Sequence, residues 1–284
     1  MRIPFKPFVV ITALLALTVS ADPARSFASG ASVSPILIQH VSSSANPVGV
    51  GIPGNDFHIP LPNPLLGGCA VVLGISYPSG HKITITDSLK SAWPTSPTVM
   101  ADYGAGNYVA AIYVLPRSPA GRDVITVGMG QKDLPFQYTA SEICNLAISP
   151  VNGTKAGIGL APKSKTAIID PGSFTPRINN DALGGNVIWS YVALASIANG
   201  NPTTWAAGNG LVLLDGDIAW TTKQGFPHAS QWQIQRTRAA VDPTMTATGD
   251  TADRFNSVSV ALKVADAGVT MPAGIHINKI IHQT

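Results

Sequence analysis

The sequence predicts an all-β fold: an antiparallel two-sheet β-sandwich of jelly-roll type, after an N-terminal signal peptide. Charged residues make up only 12% of the 284 residues, against about 25% in a typical soluble domain. Short segments rich in β-branched and aromatic residues recur along the chain, and turns rich in Gly and Pro separate them. No amphipathic helical pattern follows the N-terminal segment, which argues against helical crossovers and a parallel sheet.

The first residues have the layout of a secretory signal peptide. Arg2 and Lys6 form a basic region, residues 7–19 an apolar stretch, and the small-x-small sequences "VSA" and "SFA" two cleavage sites. The apolar stretch is shorter than the ~20 residues that a membrane-spanning helix needs. We therefore expect residues 1–28 to be a signal peptide and short leader, with a secreted or cell-surface chain and no membrane span after its removal.

Removal of the leader changes the charge balance. Cleavage after Ala21 takes away two of the 18 basic residues and none of the 15 acidic ones, so the formal net charge falls from +3 to +1. The sequence contains no run of Lys or Arg. Nucleic acid is therefore not an expected partner.

The predicted strands follow one another with short turns. In chain order they are Ile36–Val41, Phe57–Leu61, Gly68–Ser76, Lys82–Asp87, Tyr108–Leu115, Asp123–Gly128, Gln137–Ile148, Asn186–Ala198, Gly210–Leu214, Ile218–Thr222, Ser230–Arg238, Thr244–Thr248, Asn256–Val264 and Gly274–His282. Segments such as "KITITDS" alternate with a period of two, whereas "CAVVLGI" is continuously apolar, as in strands buried on both faces. The segment "VIWSYVALASIANG" is interpreted as a long buried strand, with a buried helix as the alternative.

The domain organisation is predicted as one sandwich over residues 29–268. The least regular stretch, Ser149–Gly185, is interpreted as a long excursion within that sandwich, with a domain linker as the alternative. Residues 269–284 form a C-terminal strand, either a terminal edge strand or the start of a truncated second repeat. An unpaired strand there would favour self-association.

Two cysteines lie in predicted core strands, Cys69 in "GGCAVVLGI" and Cys144 in "SEICNLAI". An even number of cysteines in an exported chain is typical of a disulfide. We expect Cys69 and Cys144 to pair, with two buried free thiols as the alternative.

Three stretches together resemble a known kind of protein. They are "GGCAVVLGISYPSGHKITITDS", "TTWAAGNGLVLLDGDIAW" and "ASQWQIQRTRAAVDPTMTATGDTADRFNSVSVALKVA". Their order resembles an uncharacterised family of secreted bacterial β-sandwich domains that are often tandem in longer extracellular proteins. The resemblance implies a jelly-roll-like secreted module, but no activity, ligand or site residue.

No strong catalytic motif is present. The six histidines lack the spacing of a zinc site, and we expect them to lie at the surface or in turns. The sequence has no Gly-x-Ser-x-Gly elbow and no phosphate-binding glycine loop. We therefore predict no catalytic residue, no metal site and no cofactor.

Candidate ligand-binding residues surround one Asp-Gly-Asp sequence. Asp215 and Asp217 flank Gly216, where a hairpin turn is the simpler interpretation. Trp205 and Trp220 lie on either side of it in sequence, and an exposed Trp can stack on a sugar, although core packing is the more common role of Trp. The only glutamate of the chain is Glu142, so the acid and base residues that a glycosidase needs are scarce.

These observations favour a non-catalytic extracellular module. Its role would be the binding of polysaccharide or cell-surface glycan, or cell-surface structure and adhesion. The first alternative is a secreted carbohydrate-active enzyme on the same scaffold, which would need a groove with two carboxylates. The second is a self-assembling surface or appendage subunit that associates by strand exchange.

Overall fold

The computed structural model describes residues 34–43, 56–104, 107–131, 134–160, 166–177, 185–194, 202–216, 227–249 and 254–265. These residues form strands joined by turns and loops, and no helix occurs among them. The strands are β1 Ile36–Ser42, β2 Asp56–Pro60, β3 Leu65–Leu66, β4 Ala70–Pro78, β5 Thr84–Asp87, β6 Val99–Asp102, β7 Tyr108–Leu115, β8 Ala120–Gly121, β9 Val124–Gly128, β10 Gln137–Cys144, β11 Leu146–Leu160, β12 Thr166–Ile169, β13 Asn186–Leu194, β14 Pro202–Ala207, β15 Val212–Gly216, β16 His228–Gln235, β17 Met245–Gly249 and β18 Arg254–Val264. The all-β prediction is confirmed.

The strands form four principal sheets, and every pairing between them is antiparallel. The first large sheet has the order β1-β10-β4-β7-β6, and the first small sheet the order β2-β9-β5. The second large sheet has the order β11-β18-β13-β16-β15, and the second small sheet the order β12-β17-β14. The short strands β3 and β8 pair only with each other in the described part of the chain.

The two halves of the chain repeat one topology. When the short β3 and β8 are left out, β1–β10 and β11–β18 each supply eight strands. Numbered from one to eight in chain order, both large sheets then read 1-8-3-6-5 and both small sheets 2-7-4. Each half is therefore a complete jelly roll. The sequence predicted one sandwich over residues 29–268, whereas the described strands form two jelly rolls. The domain boundaries at residues 29 and 268 stay a prediction.

The large sheets are covered on both faces, which explains their continuously apolar strands. In β4, Leu73 and Ile75 pack on the first small sheet, while Val72 faces the second large sheet. In β13, Trp189 faces the first large sheet and Leu194 packs toward the second small sheet. Strands buried on both faces have no polar alternation. The interpretation of "VIWSYVAL" as a strand is confirmed, because β13 is buried along its whole length.

A single residue connects the two jelly rolls. The predicted strand Gln137–Ile148 is divided at Asn145, which has a φ of 66° and separates β10 in the first large sheet from β11 in the second. Asn is one of the few residues other than Gly that adopt this left-handed conformation readily. The Asn145 side chain donates to the Ser34 carbonyl at 2.7 Å, and the Asn145 backbone carbonyl accepts from the Ala265 N–H at 2.9 Å.

The large sheets approach each other closely at Gly74 in β4. A Cβ atom there would lie 2.8 Å from Cη2 of Trp189 and 2.9 Å from Cγ of Tyr191, closer than such atoms pack. The Trp189 and Tyr191 side chains are fully buried on the facing sheet. The absence of a side chain at residue 74 therefore permits this approach.

The prediction of an irregular excursion over Ser149–Gly185 is wrong for its first part. The long strand β11 runs through it to Leu160, and β12 follows. The glycines of "NGTKAGIGL" hide the strand in the sequence. A Cβ at Gly157 would collide with the backbone of Pro171, and one at Gly159 with the ring of Phe255. These positions need Gly because other chain segments lie directly on the strand.

Other predictions fall on residues outside the described ranges. These are the signal peptide, the predicted strand Ile218–Thr222 and the C-terminal strand over residues 269–284. Within the described residues, an apolar helix of bilayer-spanning length is absent.

The backbone at Asn145 leads to a first prediction. Asn145→Ala should lower the free energy of unfolding by about 1–2 kcal/mol, because Ala adopts a positive φ only with strain. Asn145→Gly should cost less, because Gly accepts the conformation and loses only the side-chain hydrogen bond to Ser34. Denaturant titrations of wild type, Asn145→Ala and Asn145→Gly rank their free energies of unfolding. An Ala variant as stable as the Gly variant would contradict the prediction.

The sheet contact at Gly74 leads to a second prediction. Gly74→Ala should lower the free energy of unfolding by about 1–3 kcal/mol, because the added methyl group overpacks the contact with Trp189. Gly153→Ala is the matched control, since a Cβ there meets its nearest neighbour, the Phe174 ring, at an acceptable 3.4 Å. Denaturant titrations should show a clearly smaller loss for the control, and equal losses would contradict the role of Gly74.

Candidate functional site

The structure places only part of the predicted ligand-binding set. Asp215 lies within β15 and not in a hairpin turn, because β15 continues to Gly216 after a register irregularity between Leu213 and Asp215. Trp205 is 8% exposed and packs in the core against Gly216. Asp217 and Trp220 lie outside the described residues. The sugar-binding role of these residues stays a prediction, but the side chains of Asp215 and Trp205 expose little surface to a sugar.

Asp215 is instead the centre of a polar cluster between the two large sheets. The cluster consists of His40 in β1, Thr139 and Ser141 in β10, Asp215 in β15 and Ser230 in β16. Asp215 Oδ2 accepts from His40 Nε2 at 2.7 Å, from Thr139 Oγ1 at 2.7 Å and from Ser230 Oγ at 2.9 Å. His40 Nδ1 lies 2.8 Å from Ser141 Oγ. The cluster joins the first jelly roll to the second through side chains alone.

The hydrogen bonds of this cluster form a chain from Trp189 to Asp215. The indole N–H of Trp189 can only donate, and it donates to Ser141 Oγ at 3.1 Å. When the proton of the His40 ring lies on Nε2, the Ser141 hydroxyl donates to His40 Nδ1, and His40 Nε2–H donates to Asp215. The order Ser, His, Asp is that of a hydrolase triad with the two ring nitrogens exchanged.

The Asp215 carboxylate is held ionised in a buried place. Burial by itself would raise the pKa of Asp215. Four interactions outweigh burial and lower this pKa to about 2. They are the hydrogen bond from His40, the charge of His40, the charge of His228 and the hydrogen bond from the Thr139 hydroxyl. The side chains of His40 and Asp215 are 16% and 6% exposed, respectively. The cluster therefore contains a shielded negative charge.

A second group of polar side chains adjoins the cluster. Ser43 is the first residue after β1, and its hydroxyl donates to Oε1 of Gln137, the first residue of β10. His228 Nε2, at the start of β16, lies 3.4 Å from Ser43 Oγ. The His228 ring tilts against the ring of Tyr191, with 5.7 Å between the centroids. A nucleophile, a carboxamide and an imidazole thus meet at one end of β10.

Sequence reasoning missed these residues, although it contained a signal for them. Gln137, Thr139 and Ser141 alternate along β10, and His228 and Ser230 alternate along β16, so each set lies on one face of its strand. Polar residues at a period of two within predicted core strands indicate a buried polar interface. The expectation that the histidines lie at the surface or in turns is wrong for His228, which is fully buried in β16, and for His40, which lies in β1.

The predicted disulfide is confirmed: Cys69 and Cys144 are bonded. The Glu142 carboxylate lies beside it, and the ligand atoms of Cys69, Glu142 and Cys144 lie within 4.8 Å of one another. Because the sulfurs are joined to each other, they are not thiolate metal ligands. Burial raises the pKa of Glu142, while hydrogen bonds from the Leu66 N–H and the Gln39 amide lower it by less.

The burial of Ser141 limits what the triad-like chain can do. The Ser141 residue is 1% exposed and its hydroxyl already accepts from Trp189. A hydrolase serine needs a free approach for the substrate carbonyl and donors for the developing oxyanion. Around Ser141, the described part of the two sheets leaves no such approach, so the arrangement fits a structural connection between the sheets better than hydrolysis.

Comparisons with known proteins identify no family. No family model matches this chain, and no curated protein matches it. The chain is similar to two solved structures, described as "X-ray structure of Melon necrotic spot virus" and "Red Clover Necrotic Mosaic Virus". The first is 9% identical over 80% of this chain and 97% of that one, with a TM-score of 0.21. The second is 12% identical over 96% and 97%, with a TM-score of 0.20. Likenesses this weak support no statement about function.

The low pKa of Asp215 leads to a third prediction. A lowered carboxyl pKa stabilises the folded state at pH values above the unfolded pKa of ~3.9, and this contribution is lost as the pH falls toward about 2. The stability difference between wild type and Asp215→Asn should therefore shrink by about 2 kcal/mol between pH 5 and pH 2. Urea titrations at several pH values measure it.

A neutral control separates this effect from general destabilisation. Ser259→Ala removes a buried hydroxyl that donates to Ser190 at 2.9 Å and touches no charged group of the cluster. Its stability loss should be the same at every pH. If the loss caused by Asp215→Asn is equally constant from pH 5 to pH 2, the folded-state pKa of Asp215 is not lowered.

Proposed function

We propose that the chain is a non-catalytic extracellular module for cell-surface structure and adhesion, which turns over no external substrate. The observation that carries this proposal is the burial of Ser141. Among the described residues, Ser141, His40 and Asp215 are hydrogen-bonded in the order of a hydrolase triad, but the packed large sheets close off the serine. The chemistry that would support an enzyme is used to hold two jelly rolls together.

Burial also favours one of the two non-catalytic roles. A sugar-binding site built on aromatic stacking needs an exposed ring, and Trp205 lies in the core. Asp215 Oδ2 accepts from His40, Thr139 and Ser230, and Asp215 Oδ1 is buried without a hydrogen-bond partner among the described residues. These contacts favour a structural and adhesive role over glycan binding at this place. Binding of polysaccharide through Asp217 and Trp220 stays a prediction.

The connections between strands support a structural role. The two jelly rolls share a buried apolar interface between their large sheets. The Cys69–Cys144 disulfide ties the segment before β4 to the end of β10. Disulfides persist in oxidising compartments outside the cytosol, which agrees with export through the predicted signal peptide. A doubled, cross-linked sandwich suits a protein that holds its shape at a surface.

The role of Ser141 leads to a fourth prediction. In a deletion strain that attaches poorly to surfaces, a gene encoding Ser141→Ala should restore attachment as well as the wild-type gene does. The variant loses two buried hydrogen bonds, to His40 and from Trp189, and should be less stable by about 1–3 kcal/mol. Attachment, surface labelling of intact cells and thermal unfolding are measured together.

Thermal unfolding distinguishes a loss of attachment caused by loss of the fold from one caused by loss of the Ser141 hydroxyl. Loss of attachment by a Ser141→Ala protein that is folded and displayed at wild-type level would contradict the non-catalytic role. Purified wild-type protein should also release no product from ester substrates or a panel of polysaccharides. Turnover that Ser141→Ala abolishes and that Ser259→Ala retains would show that the arrangement is a catalytic triad.

A further inference from the structure

Three buried side chains with complementary reactivity meet where β1 ends and β10 begins. The Ser43 hydroxyl donates to the Gln137 side-chain carbonyl, and His228 Nε2 lies 3.4 Å from the same hydroxyl oxygen. Ser43, Gln137 and His228 are 3%, 2% and 0% exposed. The three residues come from three different strand regions, and the packing of the two large sheets brings them together.

We propose that Ser43 and Gln137 join in an intramolecular ester, which the protein makes on itself with His228 as the general base. The nucleophile is Ser43 Oγ, and the electrophile is Gln137 Cδ, the carbon bonded to the contacted oxygen. This self-modification is separate from the proposed surface function and does not depend on it. It consumes one residue pair of the chain and turns over no external substrate.

The reaction balances without any added reagent. Rotation of the Ser43 hydroxyl turns its proton from Gln137 Oε1 to His228 Nε2, which takes the proton as Oγ attacks Cδ. The Oγ–Cδ bond forms, the Cδ–Nε2 bond of Gln137 breaks, and the imidazolium returns the proton to the leaving nitrogen. The products are the ester and one ammonia, and nothing is oxidised or reduced. Proton transfer of this kind is general acid–base catalysis.

The surroundings favour the forward reaction. Fixed contact between nucleophile and carbonyl group replaces a bimolecular encounter, which can lower a barrier by about 7–11 kcal/mol in well-aligned cases. Asp215 and His228 interact electrostatically, and a nearby carboxylate stabilises the imidazolium that forms during transfer. Departure of ammonia into solvent removes a product, and burial keeps water away from the ester.

The ester would be the second covalent link to β10. Gln137 is the first residue of β10 and Cys144 is the last. The disulfide with Cys69 already holds the Cys144 end. An ester to Ser43 would hold the Gln137 end to the edge strand β1, so that β1 could not peel away from the first large sheet without breaking a covalent bond.

A peptide map of the purified full-length chain tests the proposal. Trypsin releases Ser43 in the peptide that ends at Lys82 and Gln137 in the peptide that ends at Lys155. The disulfide joins these same two peptides, so the cysteines must first be reduced and alkylated. We expect a linked pair whose mass is that of both peptides less one ammonia, and hydroxylamine should split it into a Gln137 hydroxamate and a free Ser43 peptide.

The wild-type map decides the proposal without any variant. If the two peptides separate completely after reduction, no ester forms and the proposal is wrong. Loss of ammonia alone is not sufficient, because the Asn-Gly pairs at Asn152, Asn199 and Asn209 can lose ammonia by cyclising. Only a linked pair that hydroxylamine cleaves supports the ester.

Variants then assign the roles. Ser43→Ala should abolish the linked pair, Ser43→Thr should retain it, and Ser141→Ala, in the neighbouring cluster, should leave it intact. His228→Gln should slow its formation at least about 100-fold in a time course after refolding, the usual contribution of a general base. A linked pair that persists in Ser43→Ala would overturn the assignment of the nucleophile, and an unchanged rate in His228→Gln would overturn that of the base.

Discussion

The close contact of the two large sheets is the constraint on which the rest of the structure depends. Gly74 leaves room for the rings of Trp189 and Tyr191, and the apolar side chains around them fill the interface. Close-packed interiors hold few voids larger than a water molecule, so a polar group that enters this interface must find its partner in the opposite sheet or in its own. The hydrogen-bond chain from Trp189 through Ser141 and His40 to Asp215 is the consequence.

A buried carboxylate in such a place is stable only if donors compensate for the water it loses. Asp215 Oδ2 has three donors, and they come from both jelly rolls: His40 and Thr139 from the first, Ser230 from the second. Separation of the sheets would therefore break two hydrogen bonds to one charge at once, those from His40 and Thr139. Networks of this kind stabilise one arrangement strongly and penalise displaced ones. The same geometry in an open cleft would be a candidate for catalysis, and its closure makes it a structural connection.

How much the sequence predicts depends on what determines each feature. The all-β class and most strands follow from local patterns, because apolar periodicity and turn residues are read within a few positions. The disulfide prediction depended instead on the even number of cysteines and the predicted export. The polar cluster does not, because His40 and Asp215 are 175 residues apart and meet only through the packing of two sheets. Most of β11 was not predicted, because Gly157 and Gly159 leave room for neighbouring chain segments and interrupt the strand pattern in the sequence. The duplicated topology is a property of strand order, which local patterns do not encode.

The duplication also explains why the polar cluster lies where it does. β1 of the first half and β15 of the second meet at the His40–Asp215 pair, and β6 and β11 meet at another place between the large sheets. In the common topology β1 corresponds to β11 and β6 to β15, so these two contacts are equivalent, as in an interface between identical subunits. Among the described residues, an ion pair occurs at the first of these contacts, between His40 and Asp215, and none occurs at the second. The two topologically equivalent contacts therefore differ in charge, and the charged one is also the one beside Ser43, Gln137 and His228.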